Sequence, residues 1–135
     1  MAILIHGTTR HRAEQIAVHG PDPDFIEPDP NNPDPNHKEG RHGLRAESFS
    51  TYVEHGPFPL EPPQKYACDK AALFPAERGP AILSVNVPDD IIALAVDAYF
   101  PLSQGLVQFD EGAGLEELRG AWSNLWKEIR SVEFP

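Results

Sequence analysis

The sequence predicts an α+β fold, with small mixed or antiparallel sheets and peripheral helices. Three observations predict it. The elements read in the order β-α-loop-β-α-β-β-α. Two short apolar runs, residues 2 to 6 and "AILSVNV" at 81 to 87, read as buried strands. Near the C-terminus Leu115, Leu118, Trp122, Leu125, Trp126 and Ile129 form one apolar stripe, which predicts a helix from about 113 to 128. At 135 residues the chain reads as a single domain over 1–135. A domain of this size buries roughly two-thirds of the surface its unfolded chain exposes, enough for a core without covalent staples.

The elements follow from local chemistry. After the first strand, Thr8 or Thr9 offers a hydroxyl to an otherwise unpaired helix amide. Ala13, Ile16 and Ala17 then share one helical face, and Gly20 with Pro21 ends the helix. "PDPDFIEPDPNNPDP", residues 21 to 35, holds six prolines and five acids and reads as a long loop, a lid or a disordered segment. Residues 44 to 53 read as a strand and "EHGPFPLEPP" as loop. Pro62 or Pro63 suits a first helical turn. Tyr66, Ala67, Lys70, Ala71, Leu73 and Phe74 continue at helical spacing until "GP" at 79 and 80. Pro88 closes the 81 to 87 strand, "DDIIALAVD" reads as a short helix or a helix running into a strand, and "GLVQFD" at 105 to 110 reads as a strand. "SVEFP" offers a last short strand.

Charge narrows the partners. Eleven Lys and Arg against 21 Asp and Glu leave a net charge of −10. Such a surface repels phosphate backbones, whose neutralisation supplies most non-specific nucleic-acid affinity. Two small basic clusters, Arg10-His11-Arg12 and Arg41-His42 with Arg45, read as solvated charges. The single cysteine, Cys68, permits no internal disulfide, in keeping with a reducing cytosol. No basic, apolar leader is visible, and no run approaches the roughly 18 apolar residues of a membrane helix. The expectation is a cytoplasmic protein with no membrane partner.

"LIHGTT", residues 4 to 9, is the stretch with chemical content. A strand that ends in His-Gly also occurs in α/β-hydrolases, but their G-x-S-x-G nucleophile elbow is absent. His6 and His11, like His37 and His42, stand five apart and not at the i, i+4 spacing of a zinc helix, so no metal is expected. Cys68 lies inside a helical pattern and reads as a small buried filler. A strand end and the turn after it can instead present a side-chain donor with a backbone amide and carbonyl. A carboxamide needs such a donor and acceptor. Gly7 lets a ring approach the backbone closely.

Three blocks in order, "ILIHGTTRHRAEQIAVHG", "ESFST" followed by "QKYACDKA", and "GPAILSVNVPDDI", resemble the ADP-ribosyltransferase-like superfamily, which includes the poly-ADP-ribose polymerases and the tRNA 2′-phosphotransferases. The resemblance implies an ADP-ribosyltransferase-like fold with NAD as the bound dinucleotide. It implies that His6 contacts the adenosine ribose and that the Gly7 backbone binds the nicotinamide amide, with Thr8 beside them. It also implies that Phe49 and Ser50 form the strand signal lining the site, and that Tyr66 stacks on nicotinamide. The chain departs from the family in two places. Arg45 stands where relatives carry an aromatic after glycine, and Gly105 stands where the transferase glutamate opens a late strand. Glu111 and then Glu133 are the candidates for the missing carboxylate. The implied reaction is cleavage of the nicotinamide glycosidic bond, by hydrolysis or by transfer to a protein or small-molecule acceptor. A non-catalytic nucleotide-binding or regulatory domain is the alternative, and removal of an RNA 2′-phosphate is a third reading.

Overall fold

The computed structural model describes residues 2–22, 48–53, 61–91, 106–110 and 114–133. Over them the chain forms β1 (Ala2–Thr9), α1 (Arg10–His19), β2 (Ser48–Val53), α2 (Glu61–Leu73), β3 (Pro80–Val87), β4 (Leu106–Asp110), α3 (Gly114–Ala121) and β5 (Lys127–Ser131). Short 3-10 turns at Pro75–Glu77 and Trp122–Asn124 complete it. The fold is α+β. The strands make one five-stranded sheet, in the order β4-β2-β1-β3-β5, and every pairing is antiparallel. The separate small sheets expected from sequence are one sheet among these residues.

The first helix forms as its sequence dictates. Thr9, in extended conformation, accepts the Arg12 N–H at 3.2 Å, and Gly20 at φ +79° donates to the Ile16 carbonyl at 2.8 Å. The positive φ suits glycine, and the Trp122 ring lies 3.2 Å from where a Cβ would stand. The strand before the helix is longer than expected. It runs through Gly7, Thr8 and Thr9 directly into α1, so no turn separates His6 from the cap.

Residues directly paired in an antiparallel sheet share a face. Leu4, His6 and Thr8 therefore lie with Val85, Leu83 and Ala81. That face holds the main core, where Leu4, Leu83, Val85 and Val87 meet Ala13 of α1, Leu118 of α3 and Trp122. The other face carries Ile5, Gly7 and Ile82 and is covered by α2 through Ala67, Ala71 and Phe74. The protein is thus helix, sheet, helix in section.

The C-terminal helix ends early. A 3-10 turn at Trp122–Asn124 and an extended Leu125 take the place of most of its expected second half, and β5 begins at Lys127, just before the expected end at about 128. Leu125 and Ile129 pack on the core as the stripe implied. Positions four apart share a face on a helix and on a strand alike, so the spacing does not separate the two. What decides is the outer flank of β3, whose backbone groups need partners; β5 supplies them from Val85 to Ala81. Trp126, in the helical stripe, is 54% exposed as a result. The strand read in "SVEFP" likewise begins earlier, at Lys127, and ends at Ser131.

Among the described residues no helix is long and apolar enough to cross a membrane. Most of the proline-rich stretch expected as a loop at 21 to 35, the Arg41-His42 and Arg45 cluster, and residues 92–105 after the helical turn at 89–91 lie outside the described residues.

Candidate functional site

The site is built from the two flanks of β1. On one flank β1 pairs with β3 from Ala2↔Val87 to Thr9↔Pro80. On the other it pairs with β2 only at Leu4↔Val53 and Ile5↔Tyr52. Beyond Ile5 the strand β2 continues to Ser48, but its register there is with β4. The two strands therefore part at Ile5, and Gly7 has no registered partner on the β2 side among the described residues.

Backbone direction follows from the ladder. Successive antiparallel pairs alternate between those that exchange hydrogen bonds and those that do not. The Arg10 N–H donates to the Gly79 carbonyl at 2.8 Å, one step beyond Thr9↔Pro80. Thr8, His6 and Leu4 accordingly bond to β3, while Thr9, Gly7, Ile5 and Ile3 turn their N–H and C=O toward β2. The β3–β5 ladder agrees. Asn86 N–H donates to Trp126 O at 3.0 Å and Val132 N–H to Pro80 O at 3.4 Å, which leaves the odd-numbered residues of β3 for β1. Ile5 then bonds to Tyr52. Ser50, two residues along β2, turns its own backbone groups back toward β1. Gly7 and Ser50 thus address one gap from its two sides.

Gly7 is glycine for a second reason. A Cβ there would collide with the Pro63 carbonyl oxygen and lie 3.3 Å from the Ala67 nitrogen, so α2 rests directly on β1 at this point. The helix is oriented by what flanks that contact. The Cys68 thiol donates to the Glu133 carbonyl at 3.6 Å, which turns the Cys68 side of α2 toward β5. Tyr66 projects about 100° to the other side of the Ala67 line, away from β5. It is 48% exposed, with the Lys70 ammonium 5.3 Å from its ring centroid. Burial raises the Cys68 pKa above its ordinary value, and the adjacent Asp69 charge adds to this.

The helix-side end of β1 is tied down by Thr9, Arg12 and Glu77: Glu77 carried no signal in the sequence, and Arg12, expected as a solvated charge, is ion-paired and largely buried. The Thr9 hydroxyl donates to Glu77 Oε1 at 2.8 Å, Arg12 Nε donates to the same oxygen at 2.7 Å, and Arg12 Nη2 reaches Glu77 Oε2 at 3.3 Å. The Arg12 guanidinium also lies 4.4 Å from the Phe74 ring centroid. One residue on, Arg78 pairs with Glu14 and lowers its carboxyl pKa. A Thr at a helix cap was visible in the sequence, but its partner 68 positions away was not.

The other expected site residues are distributed as follows. His6 is half-buried on the face opposite α2. Thr8 is buried on that same face. Phe49 and Ser50 occupy β2 at Phe49↔Phe109 and Ser50↔Gln108. Glu133 is exposed and lies two residues past β5. That strand pairs with β3 and not with β1, so β3 and β5 separate Glu133 from the gap. Glu111 lies outside the described residues, but Asp110 before it is paired with Ser48, at the Thr9 end of the sheet. No group of three or more His, Cys, Asp or Glu among the described residues is placed to hold a metal ion.

Compared with protein-family models, curated proteins and solved structures, the chain matches none of them.

Proposed function

We propose that this chain is an ADP-ribosyltransferase-like domain that binds NAD in the gap between β1 and β2 and cleaves its nicotinamide glycosidic bond. The observation that carries this reading is the outward-turned N–H and C=O of Gly7. A carboxamide presents one donor and one acceptor on a single edge and so matches that pair. Tyr66 lies on the flank of α2 turned away from β5, where its ring face attracts the cationic nicotinamide by about 1 kcal/mol. His6 reaches the opposite face of the strand, toward the remainder of a dinucleotide threaded through the gap. Phe49, Ser50 and Thr8 belong to the two strands that border it.

When bound, NAD supplies the bond that is broken. Nicotinamide departs with the bonding electron pair, and the incoming water or acceptor hydroxyl loses its proton. A carboxylate holding the ribose hydroxyl would stabilise the positive charge that develops on the sugar. Glu111 is the first candidate, because it follows the strand that ends beside Ser48. Glu133 is the second. The acceptor is a protein or small molecule, and the setting is the cytoplasm. The alternative, a nucleotide-binding domain without turnover, draws on the position of Glu133, two strands from the gap.

Calorimetry with NAD and with its deamidated analogue, which carries a carboxylate in place of the carboxamide, tests the reading. NAD should bind at least about tenfold more tightly, since a carboxylate meets the Gly7 carbonyl oxygen without a donor of its own. Equal affinity, or no heat from either, overturns the assignment. Nicotinamide release that falls about a hundredfold in Glu111→Gln, with NAD still bound, identifies the acid. Binding without release by the wild type selects the non-catalytic alternative.

A further inference from the structure

The outer flank of β5 is one of the two edges of the sheet, where backbone groups turn away from it. The register Ile82↔Arg130 and Ser84↔Glu128 continues at both ends through the Trp126 and Val132 hydrogen bonds to β3. By the same alternation, the even-numbered residues from 126 to 132 bond inward. Lys127, Ile129 and Ser131 turn their N–H and C=O outward, and no further strand follows β5 among the described residues. Natural edges are commonly blunted by short length, charged side chains, proline or a bulge, and β5 is short and carries Lys127, Glu128 and Arg130. The segment from 126 to 132 contains no proline, and its register with β3 is unbroken.

We propose that this edge pairs antiparallel with the same edge of a second copy of the chain, about a two-fold axis at Ile129. The residues are self-complementary in that register. On one face the order Trp126, Glu128, Arg130, Val132 meets its own reverse. Glu128 then stands opposite the second copy's Arg130, twice over, and Trp126 stands opposite Val132. On the other face Lys127 meets Ser131, and Ile129 meets itself. Neighbouring registers are excluded by charge. Centring on residue 127, 128 or 130 places Lys on Lys, Glu on Glu or Arg on Arg, which destabilises a strand pair. Centring on Ser131 leaves Lys127 and Glu128 unpaired.

Two further observations favour this occupant. Among the described residues Arg130 gives one hydrogen bond, from Nη2 to Ser84 Oγ at 3.0 Å, and its buried Nε meets no acceptor. The guanidinium therefore has donors to spare for a carboxylate arriving from the open edge. Trp126, 54% exposed, gains an apolar neighbour in the pair. A strand pair with one tryptophan buries less than the roughly 1,600 Å² of a standard stable interface, so the dimer forms in a concentration-dependent way.

The test is sedimentation equilibrium on the full chain over a range of concentrations. The mass should rise from 14.9 kDa toward twice that value. Ser131→Pro removes an outward N–H without touching the β3 ladder, and Glu128→Arg sets like charges opposite each other at an exposed position. Each should hold the chain at the monomer mass, with circular dichroism unchanged. The double variant Glu128→Arg with Arg130→Glu restores complementarity and should dimerise again. A wild type that stays monomeric at every concentration overturns the proposal, and so does a dimer that Ser131→Pro and Glu128→Arg both leave intact. If the double variant does not fold, the two single variants decide the matter.

Discussion

One strand, β1, has two unlike flanks. Toward β3 it is paired at all eight residues from Ala2 to Thr9. Toward β2 it is paired at Leu4 and Ile5 and then released. The difference separates two tasks along a single run of residues. The closed flank contributes to stability, because its amides are bonded and its side chains join the core with Leu83 and Val85. Among the described residues the open flank leaves polar backbone without a registered strand partner, and it does so at Gly7, where α2 rests directly on the strand.

Hydrogen exchange should show the largest contrast. The amides of His6 and Thr8, bonded to β3, should exchange only through extensive unfolding, whereas the Gly7 amide needs none. For a domain of about 5 kcal/mol stability, the rates differ by more than about a thousandfold. Equal protection at Gly7 and His6 without ligand would break the comparison. Protection of Gly7 gained on adding NAD would sharpen it.

Substitutions should divide in the same way. Leu83→Ala, in the fully buried core of the closed flank, should lower unfolding free energy by about 3 kcal/mol in urea melts. Gly7→Ala forces α2 away from β1 and should cost about 2 kcal/mol by the same measurement. Its destabilisation comes from backbone contact with Pro63, so shortening a side chain near it should give little relief. The smallest effect belongs to Tyr66→Ala. This exposed residue should change stability by under about 0.5 kcal/mol, while NAD affinity falls about fivefold, the loss of one cation–π contact. A Tyr66→Ala variant that unfolds readily would place that ring in the core and not beside the gap.

Much of this was legible in the chain. The first helix was bounded by Thr9 and Gly20, because caps act through immediate neighbours. The strands at 80 to 87 and 106 to 110, and the helix opening at Pro62 and Pro63, were likewise local patterns of branched residues and proline. The HGT element was visible as a candidate site, but its reason was not. A sequence shows that Gly7 lacks a Cβ, not that Pro63 occupies the vacated space.

By itself the sequence determined the α+β class, the ends of α1 and the apolar positions that face a core, since these depend on spacing and on neighbours within a few residues. Tertiary structure decided the rest. It ended the last helix at Ala121 and made a strand of Lys127–Ser131, because the bare flank of β3 offered hydrogen-bond partners that no local preference could outweigh. It joined Thr9 and Arg12 to Glu77 across more than 60 positions. It also opened β1 from β2 after Ile5, because register is a property of two strands and cannot be read from either one alone.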